Sequence, residues 1–81
     1  MQVRVRLGAG LRGPSGAAFL TVVLEDGATV ADLYARLAAT ERDLRPVLPS
    51  TLPVLGGEQA GRDRVLRDGE QVALLMPMSG G

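Results

Sequence analysis

The residues best placed to do chemistry are the last two, Gly80 and Gly81, which close the run Met76-Pro77-Met78-Ser79-Gly80-Gly81. A strongly apolar stretch, Val72 to Met76, stops at Pro77, and the Gly-Gly pair follows a two-residue spacer. Without Cβ atoms on its final residues, such an arm can enter a cleft that any larger residue would block. The segment from Pro77 to Gly81 reaches at most about 17 Å when extended, enough to carry a terminal carboxylate across a partner's surface to a buried site. The plain alternative is a frayed chain end, where small residues accumulate anyway. The order strand, proline, short spacer, Gly-Gly favours the first reading, in which residues 1–76 form a domain and residues 77–81 a flexible tail that it presents.

Other chemistries are excluded by composition. There is no cysteine and no histidine, which removes disulfides, thiolate and imidazole metal sites, and a Ser-His-Asp triad. No clustered pair of carboxylates suggests a glycosidase or a metal site. All nine basic residues are arginine, so no lysine side chain is available to accept an acyl group, and the protein cannot form lysine-linked chains of itself. Nine acidic residues cancel the nine arginines, so no net field steers the chain to nucleic acid or an anionic membrane. The N-terminus alternates valine with arginine rather than showing an apolar signal core. The longest apolar run falls far short of the ~20 residues that span a bilayer. A cytoplasmic protein is expected.

The elements that must position the tail follow from periodicity. Gln2 to Leu7 alternates, with Val3, Val5 and Leu7 on one face, and predicts a half-buried strand. Gly8 to Ala18 is a glycine-rich loop. Its G-x-G-x-x-G spacing at Gly8, Gly10 and Gly13 lacks the following helix and the lysine that a phosphate cradle requires. Phe19 to Leu24 predicts a second strand, with Leu20, Val22 and Leu24 inward. Thr29 and Asp32 have the form of a capping box. The helix beyond them, about Val30 to Ala39, lines Val30, Leu33, Tyr34 and Leu37 along one stripe, with Asp32 and Arg36 spaced for a surface ion pair and Tyr34 at the edge of the core. Pro46, Pro49 and Pro53 preclude a long element across the next segment, where Leu44, Val47 and Leu48 tuck under the sheet. A short strand, Leu52 to Leu55, closes at Gly56-Gly57, and Gln59 begins its return. Gly61 to Arg67 reads as a solvated loop with Val65 and Leu66 dipping inward. Asp68-Gly69 turns into the last strand, Gln71 to Met76. The order predicts an α+β roll, a mixed sheet of four to five strands packed on one helix. With the last strand parallel beside the first, that is the β-grasp arrangement.

At this point the chain resembles the MoaD/ThiS-type ubiquitin-like sulfur carriers, which include the molybdopterin synthase small subunit and the thiazole-pathway carrier. The resemblance covers the whole chain in length and element order. Its specific part is Asp68-Gly69-Glu70-Gln71-Val72, similar to the family's D-G-D-x-V turn and strand, followed by Pro77, a spacer and Gly80-Gly81. Thr29, Val30 and Leu33 match a T-V-x-x-L helix start. Pro77 before the spacer is closer to the molybdopterin branch. Three departures bear on the pathway: Val54-Leu55-Gly56-Gly57 stands where a V-N-G turn is common, Met76 stands where that branch often has a first proline, and the Gly8 to Ala18 loop is glycine-rich and somewhat long.

The resemblance implies a carrier that is not itself an enzyme and binds no cofactor. A terminal carboxylate, with a pKa near ~3.5, is an anion at neutral pH and a poor acyl electrophile. Relatives activate it with ATP on an ubiquitin-activating-type adenylyltransferase, forming an acyl-adenylate at the residue matching Gly81. Sulfur from a persulfide then displaces AMP and leaves a thiocarboxylate. Pro77, Met78, Ser79 and Gly80 would present that end, and a sulfur-accepting synthase subunit would receive it, the molybdopterin synthase large subunit first. Cysteine, thiamin, tRNA and natural-product pathways are alternative acceptors. A protein modifier conjugated through Gly81 and a plain interaction module are the alternatives of other classes. A small sheet packs one face on its helix and leaves the other partly open, and Met76 and Met78, adaptable thioethers, are the expected partner contacts.

Overall fold

In a computed structural model, residues 1–11 and 16–77 are described. The alternation of the first strand, β1 (Gln2–Leu7), is realised in full: Val3, Val5 and Leu7 are buried, while Gln2, Arg4 and Arg6 face out. Strand β2 (Phe19–Val23) pairs antiparallel with it, Val3 opposite Val22 and Arg6 opposite Phe19. Leu24 falls just past β2 but stays buried, its N–H donating to the Met1 carbonyl at 2.9 Å. Gly27, with φ of 87°, makes the turn that follows, a backbone conformation open to glycine at little cost.

Helix α1 (Val30–Thr40) starts where the capping box predicts. The Thr29 hydroxyl accepts the Asp32 N–H, and the Asp32 carboxylate accepts the Thr29 N–H at 2.8 Å. The N–H groups of Val30 and Ala31 donate instead to the carbonyls of Arg64 and Arg62, so donors that a helix start leaves open are satisfied from the loop before the last strand. The expected Asp32–Arg36 ion pair does not form, because Asp32 is turned back onto the cap. Among the described residues the ion pairs are Met1 amine with Asp26 and Arg64 with Glu70. Val30, Leu33, Tyr34 and Leu37 form the buried stripe.

Beyond α1 the prolines allow only turns and a 3₁₀ segment, Leu48–Ser50, with Leu44 and Leu48 buried and Val47 packed partly against the core. Strand β3 (Leu52–Leu55) turns at Gly56 and Gly57, both left-handed, into the short β4 (Glu58–Gln59). Between β4 and the last strand Leu66 enters the core, but Val65 is 54 % exposed. Successive side chains of an extended segment point to opposite sides, so the two could not both dip inward as expected. Strand β5 (Gln71–Leu75) then runs through the middle of the sheet, whose order is β2-β1-β5-β3-β4. It lies parallel to β1 and antiparallel to β3, the arrangement of a five-stranded β-grasp sheet with α1 in the crossover.

The core lies between α1 and the face carrying Val3, Val5, Val72 and Leu74, all with no exposed surface. Each such side chain stabilises the fold by about 1.5–3 kcal/mol relative to exposure. The strand that leads into the C-terminal segment is thus anchored in the core by Val72 and Leu74, beside β1.

Candidate functional site: the tail root and the open sheet face

The last ladder bond beside the tail root runs from the Gly8 N–H to the Leu74 carbonyl, 3.0 Å, while Leu75 stands opposite Leu52 of β3. Met76 and Pro77 follow outside the strand and exposed, so the last strand is one residue shorter than expected. Pro77 has no N–H to give to a ladder, which fits a chain leaving the sheet at this point. Met76, one expected contact residue, is 39 % exposed at the strand's end. Met78, Ser79, Gly80 and Gly81 lie outside the described residues.

Pairing register shows which side chains share the face turned away from α1. Gln2, Arg4 and Arg6 of β1 stand beside Phe19, Thr21 and Val23 of β2, and beside Gln71 and Ala73 of β5. Ala73 and Leu75 in turn stand opposite Val54 and Leu52. One end of this face is therefore apolar and runs directly into Met76, and its middle carries two guanidinium groups. The Arg4 guanidinium lies over the Phe19 ring, 4.0 Å from its centroid. Leu75 lies across Gly8: a Cβ there would come within 3.0 Å of Leu75 Cδ2 and 3.1 Å of the Leu74 carbonyl oxygen. The bare glycine is what lets the last residue of β5 settle against the end of β1.

Polar groups elsewhere are committed to structure. The Thr51 hydroxyl donates to the Leu48 carbonyl at 2.7 Å, so the Tyr34 hydroxyl, 2.8 Å away, donates to Thr51. Burial pushes the Tyr34 phenol up, with the Thr51 hydrogen bond and the charge of Arg62 acting against it. Arg62 stacks over the Tyr34 ring at 3.9 Å. Among the described residues no cluster of three acidic or other ligating side chains is arranged to hold a metal, and no helix is long and apolar enough to cross a membrane.

The open face was only half legible in the sequence. The alternation in β1 turns Arg4 and Arg6 outward, but nothing local to Phe19 marks it as more than a strand residue. The meeting of Leu52, Val54 and Leu75 depends on the β3–β5 register, which no local pattern encodes.

The geometry can be set against known proteins. The chain is 35 % identical over 83 residues to the molybdopterin synthase sulfur carrier subunit of Chlamydomonas reinhardtii, with all of both chains covered. Its fold matches the SAMP1 crystal structure from Haloferax volcanii with a TM-score of 0.86 at 24 % identity, over all of both chains. It also matches a chain of the complex of subunits 1 and 2 of the molybdopterin-converting factor from Helicobacter pylori 26695, with a TM-score of 0.75 at 23 % identity and full coverage of both. The ThiS family model matches residues 16–81, from the loop before β2 through the Gly-Gly pair. The chain therefore belongs to the ThiS family.

Proposed function

We propose that this protein carries sulfur as a thiocarboxylate on Gly81 and hands it to a biosynthetic enzyme, with molybdopterin synthesis as the pathway. The observation that carries this reading is the end-to-end similarity to a molybdopterin synthase sulfur carrier subunit, in a family model that extends over Gly80 and Gly81. The chemistry is consistent with it. A chain without cysteine has no thiol of its own to hold sulfur, whereas a terminal carboxylate becomes an acyl donor once adenylated. An ubiquitin-activating-type adenylyltransferase would supply ATP and catalysis; the outer sulfur of a persulfide would attack the Gly81 carbonyl carbon and displace AMP, and a second thiol would cleave the resulting acyl disulfide, leaving the thiocarboxylate on Gly81 and a disulfide on the donor.

The sheet gives this end a firm base. β5 is paired on both sides up to Leu74 and with β3 through Leu75, and the open face beside it offers apolar surface at Leu52, Val54, Leu75 and Met76. A synthase large subunit is the proposed sulfur acceptor, supported by the curated relative and by a structural neighbour that forms a complex with its own subunit 2. The modifier reading, with Gly81 joined to a target lysine, draws only on a shared fold.

Complementation tests the pathway. In a bacterial strain lacking its own molybdopterin synthase small subunit, expression of this chain with its cognate partners restores molybdoenzyme activity, and the chain lacking Gly81 does not. A chain that becomes thiocarboxylated yet fails to complement would move the acceptor to another pathway.

A further inference from the structure

The two edges of the sheet are built differently. One ends on β4, which is two residues long and carries Glu58. The other is β2, five residues with no charge and no proline, in which Phe19 is 41 % and Val23 58 % exposed. A sheet edge left bare in this way is a template for another strand, and short or charged edges are the usual protection. The ladder to β1 fixes which backbone groups of β2 stay open. The Leu7 N–H donates to the Ala18 carbonyl at 2.8 Å, and the Leu24 N–H to the Met1 carbonyl at 2.9 Å. In the same register Leu20 and Val22 stand opposite Val5 and Val3, and bonding alternates along an antiparallel strand. The N–H and C=O groups of Phe19, Thr21 and Val23 therefore aim away from β1, and no described strand pairs with them.

We propose that β2 pairs antiparallel with β2 of a second copy of this chain, about a two-fold axis through Thr21. That register sets Phe19 opposite Val23, Leu20 opposite Val22, and Thr21 opposite its own counterpart. The residues with open backbone groups then face one another, and each outward N–H finds an outward C=O. A shift by one residue would set open groups against groups already bonded to β1. The side-chain pairs are ones that antiparallel strands favour, an aromatic ring on a β-branched residue twice and threonine on threonine once. On the helix side, Arg36 and Glu41 flank the groove between α1 and the β2 edge. Among the described residues neither forms an ion pair, and the Asp32 carboxylate spaced to meet Arg36 is held by the cap. The two-fold axis reverses their order along the edge, so Arg36 of each copy stands toward Glu41 of the other, a reciprocal contact. The edge is thus its own complement in backbone, side chains and charge. β5 lies two strands in from it, so the pairing leaves both open faces and both tail roots uncovered.

The test is analytical ultracentrifugation of the full chain at concentrations up to about 1 mM, with amide hydrogen exchange followed by NMR at the two ends of the range. The mass is expected to rise from 8.5 kDa toward twice that value. Protection of the Phe19, Thr21 and Val23 amides should appear only at high concentration, while the Leu20 and Val22 amides are protected throughout. Thr21→Pro removes an outward N–H and none from the β1 ladder, and should weaken association by about tenfold or more. R36E or E41R alone sets like charges together and should weaken it by about threefold to tenfold. R36E/E41R exchanges the two charges and should restore it. Thermal melts check that each variant folds, and the charge variants leave β2 untouched, so the result does not depend on Thr21→Pro. A chain that stays monomeric at about 1 mM leaves the edge to a foreign strand or to water, and overturns the pairing. A dimer indifferent to Thr21→Pro and to the single charge reversals, concentration-dependent protection confined to amides outside β2, or R36E/E41R no better than its single variants would each overturn it as well.

Discussion

Tyr34 carries a polar group into the core and has to place it. Its position on the buried stripe of α1 was legible from helical spacing, but its partner was not, because Thr51 lies on the far side of a proline-rich segment. Replacing Tyr34 with Phe leaves the Thr51 oxygen without its donor and is expected to cost about 1 kcal/mol, a fall in Tm of roughly 4–8 °C for a domain of this size. An unchanged melting temperature would show that the hydroxyl contributes nothing net. Glu70 gives a pH-dependent counterpart. Its carboxylate accepts from Arg64 Nη1 at 2.7 Å and from the Arg67 N–H at 2.8 Å. The Arg64 bond is the main cause holding its pKa below the ordinary glutamate value, with burial acting against it. A depressed carboxyl pKa stabilises the fold above the unfolded-state value, and that contribution is lost as pH falls through the folded-state value. Glu70→Gln should therefore lower the melting temperature at neutral pH and make little difference in acid below the folded-state value, which itself lies under the ordinary glutamate value. An equal loss at both pH values would contradict the linkage.

At the scale of elements, the sequence shows periods well and pairings poorly. The capping box at Thr29 and Asp32, the alternation of β1 and the glycine turn after β3 were all readable, because each is set by residues within a few positions of one another. The donors of α1 that end on Arg62 and Arg64 were not, nor was the exposure of Val65, since both depend on a loop docking beside a helix. Gly8 is the sharpest case. It looked like one glycine of a loop, yet it is where the end of β1 meets the end of β5. Its φ lies outside the left-handed range, so alanine is permitted locally and would gain a little by restricting the unfolded chain. The added Cβ would nonetheless crowd Leu75 and the Leu74 carbonyl, and overpacking of this kind costs about 1–3 kcal/mol. Gly8→Ala is expected to be net destabilising by about 1 kcal/mol, with NMR shifts at Leu74, Leu75 and Met76 larger than at Val3. A stabilised variant with unmoved β5 resonances would show that the close approach is tolerated.

For the whole molecule, the β-grasp roll was legible because a hairpin, one helix and returning strands leave few ways to bury their apolar faces together. Charge segregation was not: equal numbers of acids and arginines give no net field, and only the folded sheet shows that its open face excludes the acids. The last strand lies at the centre of the sheet and the chain leaves it after Leu75, so on the proposed carrier reading loss of the final glycine should leave Tm unchanged while ending sulfur transfer. A large fall in Tm on deletion of Gly81 would contradict a tail that only presents. The most direct measurement is intact mass spectrometry of the chain after incubation with an adenylyltransferase, ATP and a persulfide donor. The expected result is a mass change equal to one oxygen replaced by sulfur, mapped to the peptide ending at Gly81 and absent when Gly81 is deleted. A persistent adenylate or a lysine conjugate without sulfur, or no change with several competent activating enzymes, would contradict sulfur carriage.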